Sequence, residues 1–193
     1  MYRDLLIDSS VYPLLLQLDR EIAKEAQACG CSCGGKLHRA CYPRKPRGAP
    51  PVVDSDSAYG RRWSFCCAQE GCRRRKTPPS VLFLGRKVYF GVVVVLVSVL
   101  RQGPSPARLS RLKELVGVSA RTVGRWRRWW EENFVDSDFW QTVRGRLRAP
   151  VDVGRLPLSL LEVFEDATER QKLVKLLQFL RPLSTAPGLD GHA

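Results

Sequence analysis

Ser105-Pro106-Ala107-Arg108-Leu109-Ser110-Arg111-Leu112-Lys113-Glu114-Leu115-Val116-Gly117-Val118-Ser119-Ala120-Arg121-Thr122-Val123-Gly124-Arg125-Trp126-Arg127-Arg128-Trp129-Trp130 carries two helical patterns separated by one glycine. Ser105 is a side-chain cap, and Pro106 suits the first helical position, where no amide is needed. Leu109, Leu112 and Val116 recur at i, i+3 and i+7, giving one apolar face. Gly117 permits the left-handed turn that ends this helix. Ser119 then caps a second helix in which Val123, Trp126 and Trp130 point inward and Arg121, Thr122, Arg125 and Arg128 point outward. An apolar helix, a glycine turn and a helix with a basic outer side is the pattern of a helix-turn-helix; an ordinary helical hairpin seldom gathers so many cations on one exposed side. In such a motif Arg121 and Arg125 are the expected readers of base edges, and Thr122 and Arg128 the expected phosphate contacts. Trp129 and Trp130 are expected in a core or an interface.

Upstream, Gln102-Gly103-Pro104 stops an uncharged run of 13 residues at 88–100. Crossing a bilayer takes about 18 to 20 residues, so no membrane span is expected. The run exceeds the roughly 5 to 6 residues of an ordinary strand, which predicts a helix buried on most sides. Residues 1–10 contain Asp4 and Asp8 and lack a basic segment leading into an apolar one, so export is not expected. The expected location is the cytoplasm, in association with the nucleoid.

Charge is concentrated around the quoted stretch. The chain of 193 residues has a formal net charge of +13. Residues 60–130 hold 13 Arg and 3 Lys against two Glu, a net of +14, so they contain the whole excess. A polyanionic partner follows, double-stranded DNA in the first place. The preference for Arg over Lys suits forked hydrogen bonds to phosphate or guanine better than solubility alone. Arg73, Arg74, Arg75 and Lys76 form a second basic run, expected to grip phosphates. A 44% hydrophobic content excludes a disordered chain of low apolar content.

The seven cysteines fall into two clusters, Cys29, Cys31, Cys33 and Cys41, then Cys66, Cys67 and Cys72. Their odd number, their clustering and the missing export signal favour reduced thiolates that hold a metal ion over a disulfide framework. Zinc is the expected cofactor, because two turns with two thiolates each complete its tetrahedron. The expected ligands are Cys31 and Cys33, directly before Gly34-Gly35, with Cys67 and Cys72. Cys66 with Cys72 is the alternative in the second turn, Cys29 or Cys41 in the first, and His38 is a further candidate. Residues 43–51, rich in proline and base, read as a linker, with a minor-groove arm as the second reading.

Leu14, Leu15, Leu18, Ile22 and Ala26 make residues 11–28 an amphipathic helix. Residues 158–164 and 168–180 read as two more helices. The second has Leu173, Leu176, Leu177 and Leu180 as its apolar face, which either covers the core or pairs with another copy to give a homodimer. Residues from Pro182 onward read as frayed. The expected fold is mainly α with a small β zinc ribbon. Its segments are an N-terminal amphipathic helix (1–28), a zinc ribbon with a basic loop (29–84), a tri-helical helix-turn-helix domain (85–134), a C-terminal helical extension (135–181) and a tail (182–193).

Cys31-Ser32-Cys33-Gly34-Gly35, Arg62-Trp63-Ser64-Phe65, Cys67 through Cys72-Arg73 and Val118-Ser119-Ala120-Arg121-Thr122-Val123 together resemble the front end of bacterial insertion-sequence transposases and their small accessory DNA-binding proteins. The resemblance covers roughly residues 29–130. It implies a zinc ribbon and a helix-turn-helix that bind the ends of a mobile element; the one-residue gap between Cys31 and Cys33 departs from the usual knuckle spacing. A transposase of that kind also carries a catalytic domain whose carboxylates hold two magnesium ions. The 63 residues after Trp130 contain Asp136, Asp138, Asp152, Glu162, Glu165, Asp166, Glu169 and Asp190, but in predicted helices and loops rather than in strands that would gather them. A non-catalytic, sequence-specific DNA-binding accessory or regulatory protein is therefore expected. The alternatives are a truncated or split transposase completed by a separate catalytic chain, and a zinc-stapled module that docks an acidic protein.

Overall fold

The computed structural model describes residues 2–44, 53, 58–84, 89–99, 106–165 and 168–185. The basic stretch at 45–51, the Ser105 cap, Asp166 and the tail beyond Thr185 lie outside the described residues, as do the side chains of Leu109 and Leu112. The chain begins with helices α1 (Tyr2–Ile7) and α2 (Val11–Ala28). Short strands follow: β1 (Leu37–Arg39), β2 (Tyr42–Pro43), β3 (Arg61–Arg62), β4 (Phe65–Cys67), β5 (Arg75–Lys76), β6 (Phe83–Leu84) and β7 (Tyr89–Phe90). Helices follow: α3 (Gly91–Val99), α4 (Pro106–Val116), α5 (Ala120–Arg128), α6 (Asp138–Val143), α7 (Leu158–Val163) and α8 (Glu169–Leu180). Among the described residues all strand pairings are antiparallel, in the order β1-β4-β5 with separate pairs β2-β3 and β6-β7.

The uncharged run at 88–100 is divided. Phe83 pairs with Phe90 and Leu84 with Tyr89, which draws Tyr89–Phe90 into a strand before the helix begins. Every residue from Gly91 to Ser98 is buried, so α3 has no side left for solvent. Helices α1, α5 and α8 pack around it. Gly91 makes the approach of α8 close, since a Cβ there would lie 2.9 Å from Leu177 Cδ2 and 3.4 Å from the Val81 carbonyl oxygen.

One large core joins residues from α1, the first half of α2, segment 81–84, α3, α5, α7 and α8. The segments expected as a separate N-terminal helix, a helix-turn-helix domain and a C-terminal extension therefore share their interior. Leu173, Leu176, Leu177 and Leu180 are all buried in it, so this face is spent on the core and is not open to a second copy. The chain end is also engaged before it leaves the described residues, for Leu183 and Ser184 are buried. A second, small core of Ala23, Leu37, Phe65 and Cys67 lies under the β1-β4-β5 sheet. Helix α2 serves both, with Val11, Tyr12, Leu15 and Leu16 in the large core and Ala23 in the small one.

Between these halves of α2 lies a buried polar knot. The Asp19 carboxylate accepts hydrogen bonds from the Ser80 hydroxyl and, at 2.7 Å, the Val81 amide. The buried Arg62 guanidinium donates to the Pro78 carbonyl at 2.7 Å and to the Ser184 hydroxyl at 3.4 Å, while Ser184 also accepts from the Ser80 amide at 2.8 Å. Burial raises the pKa of Asp19 despite these hydrogen bonds and the nearby Arg62 charge.

Helix α5 does not end at Arg128 but widens into a π-helical turn at Trp129–Phe134. The wider turn lets Trp129, Trp130 and Phe134 all face inward, with ring centres of Trp129 and Trp130 4.6 Å apart and those of Trp130 and Phe134 5.0 Å apart.

Two outcomes test this packing. Gly91→Ala should reduce unfolding free energy by about 1–3 kcal/mol in denaturant titration, since the added methyl would press on the buried Leu177 side chain. Asp19→Ala should cost about 2–4 kcal/mol by stranding buried donors. A carboxyl whose pKa rises on folding stabilises most below its unfolded pKa and loses that contribution as pH climbs through the folded value. Stability relative to Asp19→Asn should accordingly fall as pH rises above the usual carboxylate range.

Candidate metal centre and basic surface

Cys31, Cys33, Cys67 and Cys72 converge, with all four sulfurs within 4.8 Å of one another. Cys31 Sγ is 3.8 Å from Cys72 Sγ, and Cys33 Sγ is 3.5 Å from Cys67 Sγ. Sulfurs about 2.3 Å from a central ion in a tetrahedron lie about 3.8 Å apart, so these separations fit a four-thiolate metal site. The group can hold a metal ion.

Local turns bring the sulfurs together. In the first, the Gly34 amide donates to the Cys31 carbonyl at 2.9 Å and the Cys31 amide to the Gly35 carbonyl at 3.0 Å. Gly34 has a φ of 81°, a conformation that favours glycine. Gly35 is required by space: a Cβ would meet Cys67 Sγ at 2.7 Å and Cys33 Sγ at 3.3 Å. In the second turn the Cys72 amide donates to the Gln69 carbonyl at 3.1 Å, and the Gln69 amide donates to Cys67 Sγ at 3.4 Å.

Strand alternation separates the other thiols. Cys67 stands opposite Leu37 and is buried, while its neighbour Cys66 stands opposite His38 and Arg75 on the other side of the sheet. The Cys66 thiol lies 3.4 Å from the Arg73 carbonyl, and that of Cys41 lies 3.9 Å from the Ser64 carbonyl. Cys29 and His38 are exposed and belong to no metal-ligating group among the described residues.

The sulfurs are electrostatically unequal. A hydrogen bond from the Cys33 amide holds the Cys31 thiol down to about 6. The Gln69 amide favours the Cys67 thiolate, but burial and the adjoining sulfurs outweigh it and push that thiol up to about 12. Cys72 is also raised: the Arg74 amide favours its thiolate, but Cys33, burial and Cys31 prevail. Crowded thiolates without a cation hold protons, and a divalent ion must displace them.

The basic residues divide by what they touch. Ser119 caps α5, its hydroxyl accepting from the Thr122 amide at 3.3 Å, and Gly117 turns the chain before it with a φ of 63°. Val118 and Trp126 are buried, and Tyr89 meets Trp126 edge-on with ring centres 5.0 Å apart. Arg121, Arg125, Arg127 and Arg128 are exposed. Arg125 donates to the Tyr89 hydroxyl at 3.3 Å and to the Thr122 hydroxyl at 3.4 Å. Arg127 pairs with Glu131 at 3.1 Å. Thr122 is half-buried and its hydroxyl lies 3.1 Å from that of Ser119, so it is part of the cap.

The run at 73–76 is exposed, yet two members are engaged within the chain. Lys76 donates to the carbonyls of Ala26 and Gly30, both at 3.2 Å, and so ties the end of α2 to the sheet. Arg74 donates to the Ser32 hydroxyl at 3.1 Å. Tyr89 and Lys76's structural role escape sequence reading because their partners are distant in the chain. No helix among the described residues is long and apolar enough to cross a membrane. No protein-family model matches the chain, and no curated protein or solved structure matches it.

Purified protein should bind a divalent metal in about one equivalent. Replacing Cys31, Cys33, Cys67 or Cys72 by Ser should abolish that stoichiometry in elemental analysis, while Cys66→Ser should retain it. Gly35→Ala should weaken binding on the order of 10-fold. Because the Cys67 and Cys72 thiols are raised, metal affinity should fall as pH drops from about 8 to about 6, with proton release on binding.

Proposed function

We propose that this chain is a sequence-specific, duplex DNA-binding protein in which α5 enters the major groove and zinc closes the four-cysteine site. The observation that carries this reading is the outer side of α5. Arg121, Arg125 and Arg128 recur at i, i+4 and i+7 and are exposed, while Trp126 on the inner side is buried and Val123 half-buried. A capped helix anchored by its apolar side and free on its basic side suits insertion into a groove.

Arg121 and Arg125 are the readers of base edges in this proposal. The Tyr89 hydroxyl supports it by orienting the Arg125 guanidinium, which then loses less freedom when it binds. Arg128 contacts phosphate, and Thr122 acts through the cap. The net of +14 over residues 60–130 supplies a long-range attraction whose strength falls with salt. A closed tetrahedron of four thiolates with no open position suits a structural zinc ion. Such a site stiffens the fold, and the role proposed for the chain is that of a non-catalytic accessory or regulatory protein related to mobile-element transposases.

Binding of a duplex pool, with selection of the preferred sequence, tests the reading. Arg121→Ala with Arg125→Ala should weaken the preferred site by more than about 10-fold and flatten the discrimination between sites. Unchanged affinity and unchanged preference would reject α5 as the reading helix. Cobalt substitution should give the intense visible spectrum of a tetrahedral thiolate site, lost in Cys67→Ser.

A further inference from the structure

Tyr42 carries two guanidiniums. The Arg44 guanidinium carbon lies 5.0 Å from the centre of its ring and that of Arg75 lies 5.9 Å from it. Arg44 also donates to the Tyr42 hydroxyl at 3.4 Å. Tyr42 lies on β2, paired with β3, and Arg75 on β5 of the separate three-stranded sheet. Cys66 faces both His38 and Arg75 across the sheet, so these three project from the side opposite Leu37, Cys67 and the small core. Arg75 and His38 are exposed, and Tyr42 and Arg44 are half-buried.

Two cations beside one ring repel each other. A carboxylate would ordinarily relieve that repulsion, yet none forms an ion pair with Arg44 or Arg75 among the described residues. Contact with an aromatic face restrains a guanidinium while leaving its in-plane N–H donors available. Those donors match the oxygens of a phosphate in charge and in geometry. The neighbouring Lys76 and Arg74 are engaged with Ala26, Gly30 and Ser32, and of the run it is Arg75 whose guanidinium lies at the Tyr42 ring.

We propose that Tyr42, Arg44 and Arg75 form a second contact surface that grips the phosphate backbone of duplex DNA. It rests on the DNA-binding reading above and adds to it a contact without base preference. Tyr42 is a positioning residue: it holds the two guanidiniums apart from solvent disorder and touches no base.

Anisotropy titrations of the full, metal-loaded chain with a labelled duplex oligonucleotide at several salt concentrations test this. Arg44→Ala with Arg75→Ala should reduce the slope of log affinity against log salt by about 1.8, the value for two lost phosphate contacts. It should weaken preferred and scrambled duplexes alike. Tyr42→Leu keeps both charges, so it should leave the slope nearly unchanged and lower affinity about three-fold or more through lost restraint. Metal content reports folding of each variant, and Arg44→Gln with Arg75→Gln serves if the alanine pair loses metal. An unchanged slope and affinity in the Arg44 and Arg75 variants, alongside weakened binding by Arg121→Ala with Arg125→Ala, would overturn this surface and leave the α5 reading standing. No duplex binding by the unaltered chain would overturn both.

Discussion

Helix α3 must be covered on every side, and the rest of the helical body follows from that demand. Its stretch of valines has no polar flank to offer water, so each neighbour contributes an apolar side to it. For α8 the contribution is a row of leucines, with Gly91 allowing Leu177 to approach. For α5 it is Trp126, with Trp129, Trp130 and Phe134 continuing the contact into the large core through the wider helical turn. Once the apolar side of α5 is committed, its arginines are turned to the outer side, where Arg125 meets the Tyr89 hydroxyl and Arg127 meets Glu131. The same burial that fixes the fold thus also orients the basic surface.

The cysteine sheet is held differently. Its core of Ala23, Leu37, Phe65 and Cys67 is too small to order a domain by apolar burial alone. Three features compensate. The four thiolates offer a site at which metal binding contributes folding free energy. Lys76 fastens the end of α2 to β5, and the Asp19, Ser80, Arg62 and Ser184 knot joins α2 to segment 78–81, to β3 and to the turn at Ser184. Sheet and helical body are therefore linked by α2 and by buried polar bonds. Such bonds are directional and set a specific arrangement better than oily contact does.

Local chemistry made several features readable from sequence. The bounds of α2 follow its apolar period, and Ser119 and Gly117 mark the entry to α5 through a cap and a left-handed turn. Cys31, Cys33, Cys67 and Cys72 were readable because glycine turns flank them and strand alternation sends Cys66 outward. Features that depend on distant partners were not. The split of residues 88–100 requires Phe83 and Leu84 as strand partners. The π-helical turn has no local signal, since aromatic packing selects it. Leucines at helical spacing fit a core or a dimer equally, and only the needs of α3 assign them to the core. A lysine beside arginines reads as phosphate-binding until the carbonyls of Ala26 and Gly30 are found beside it.

Hydrogen exchange of the metal-loaded chain, with and without saturating duplex DNA, tests the central claim most directly. Added protection at Ala120–Arg128 and around Tyr42–Pro43 and Arg75–Lys76, with none at Leu158–Val163, is the predicted result. Protection confined to α7 and α8, or none anywhere while the cysteine site keeps its metal, would contradict it.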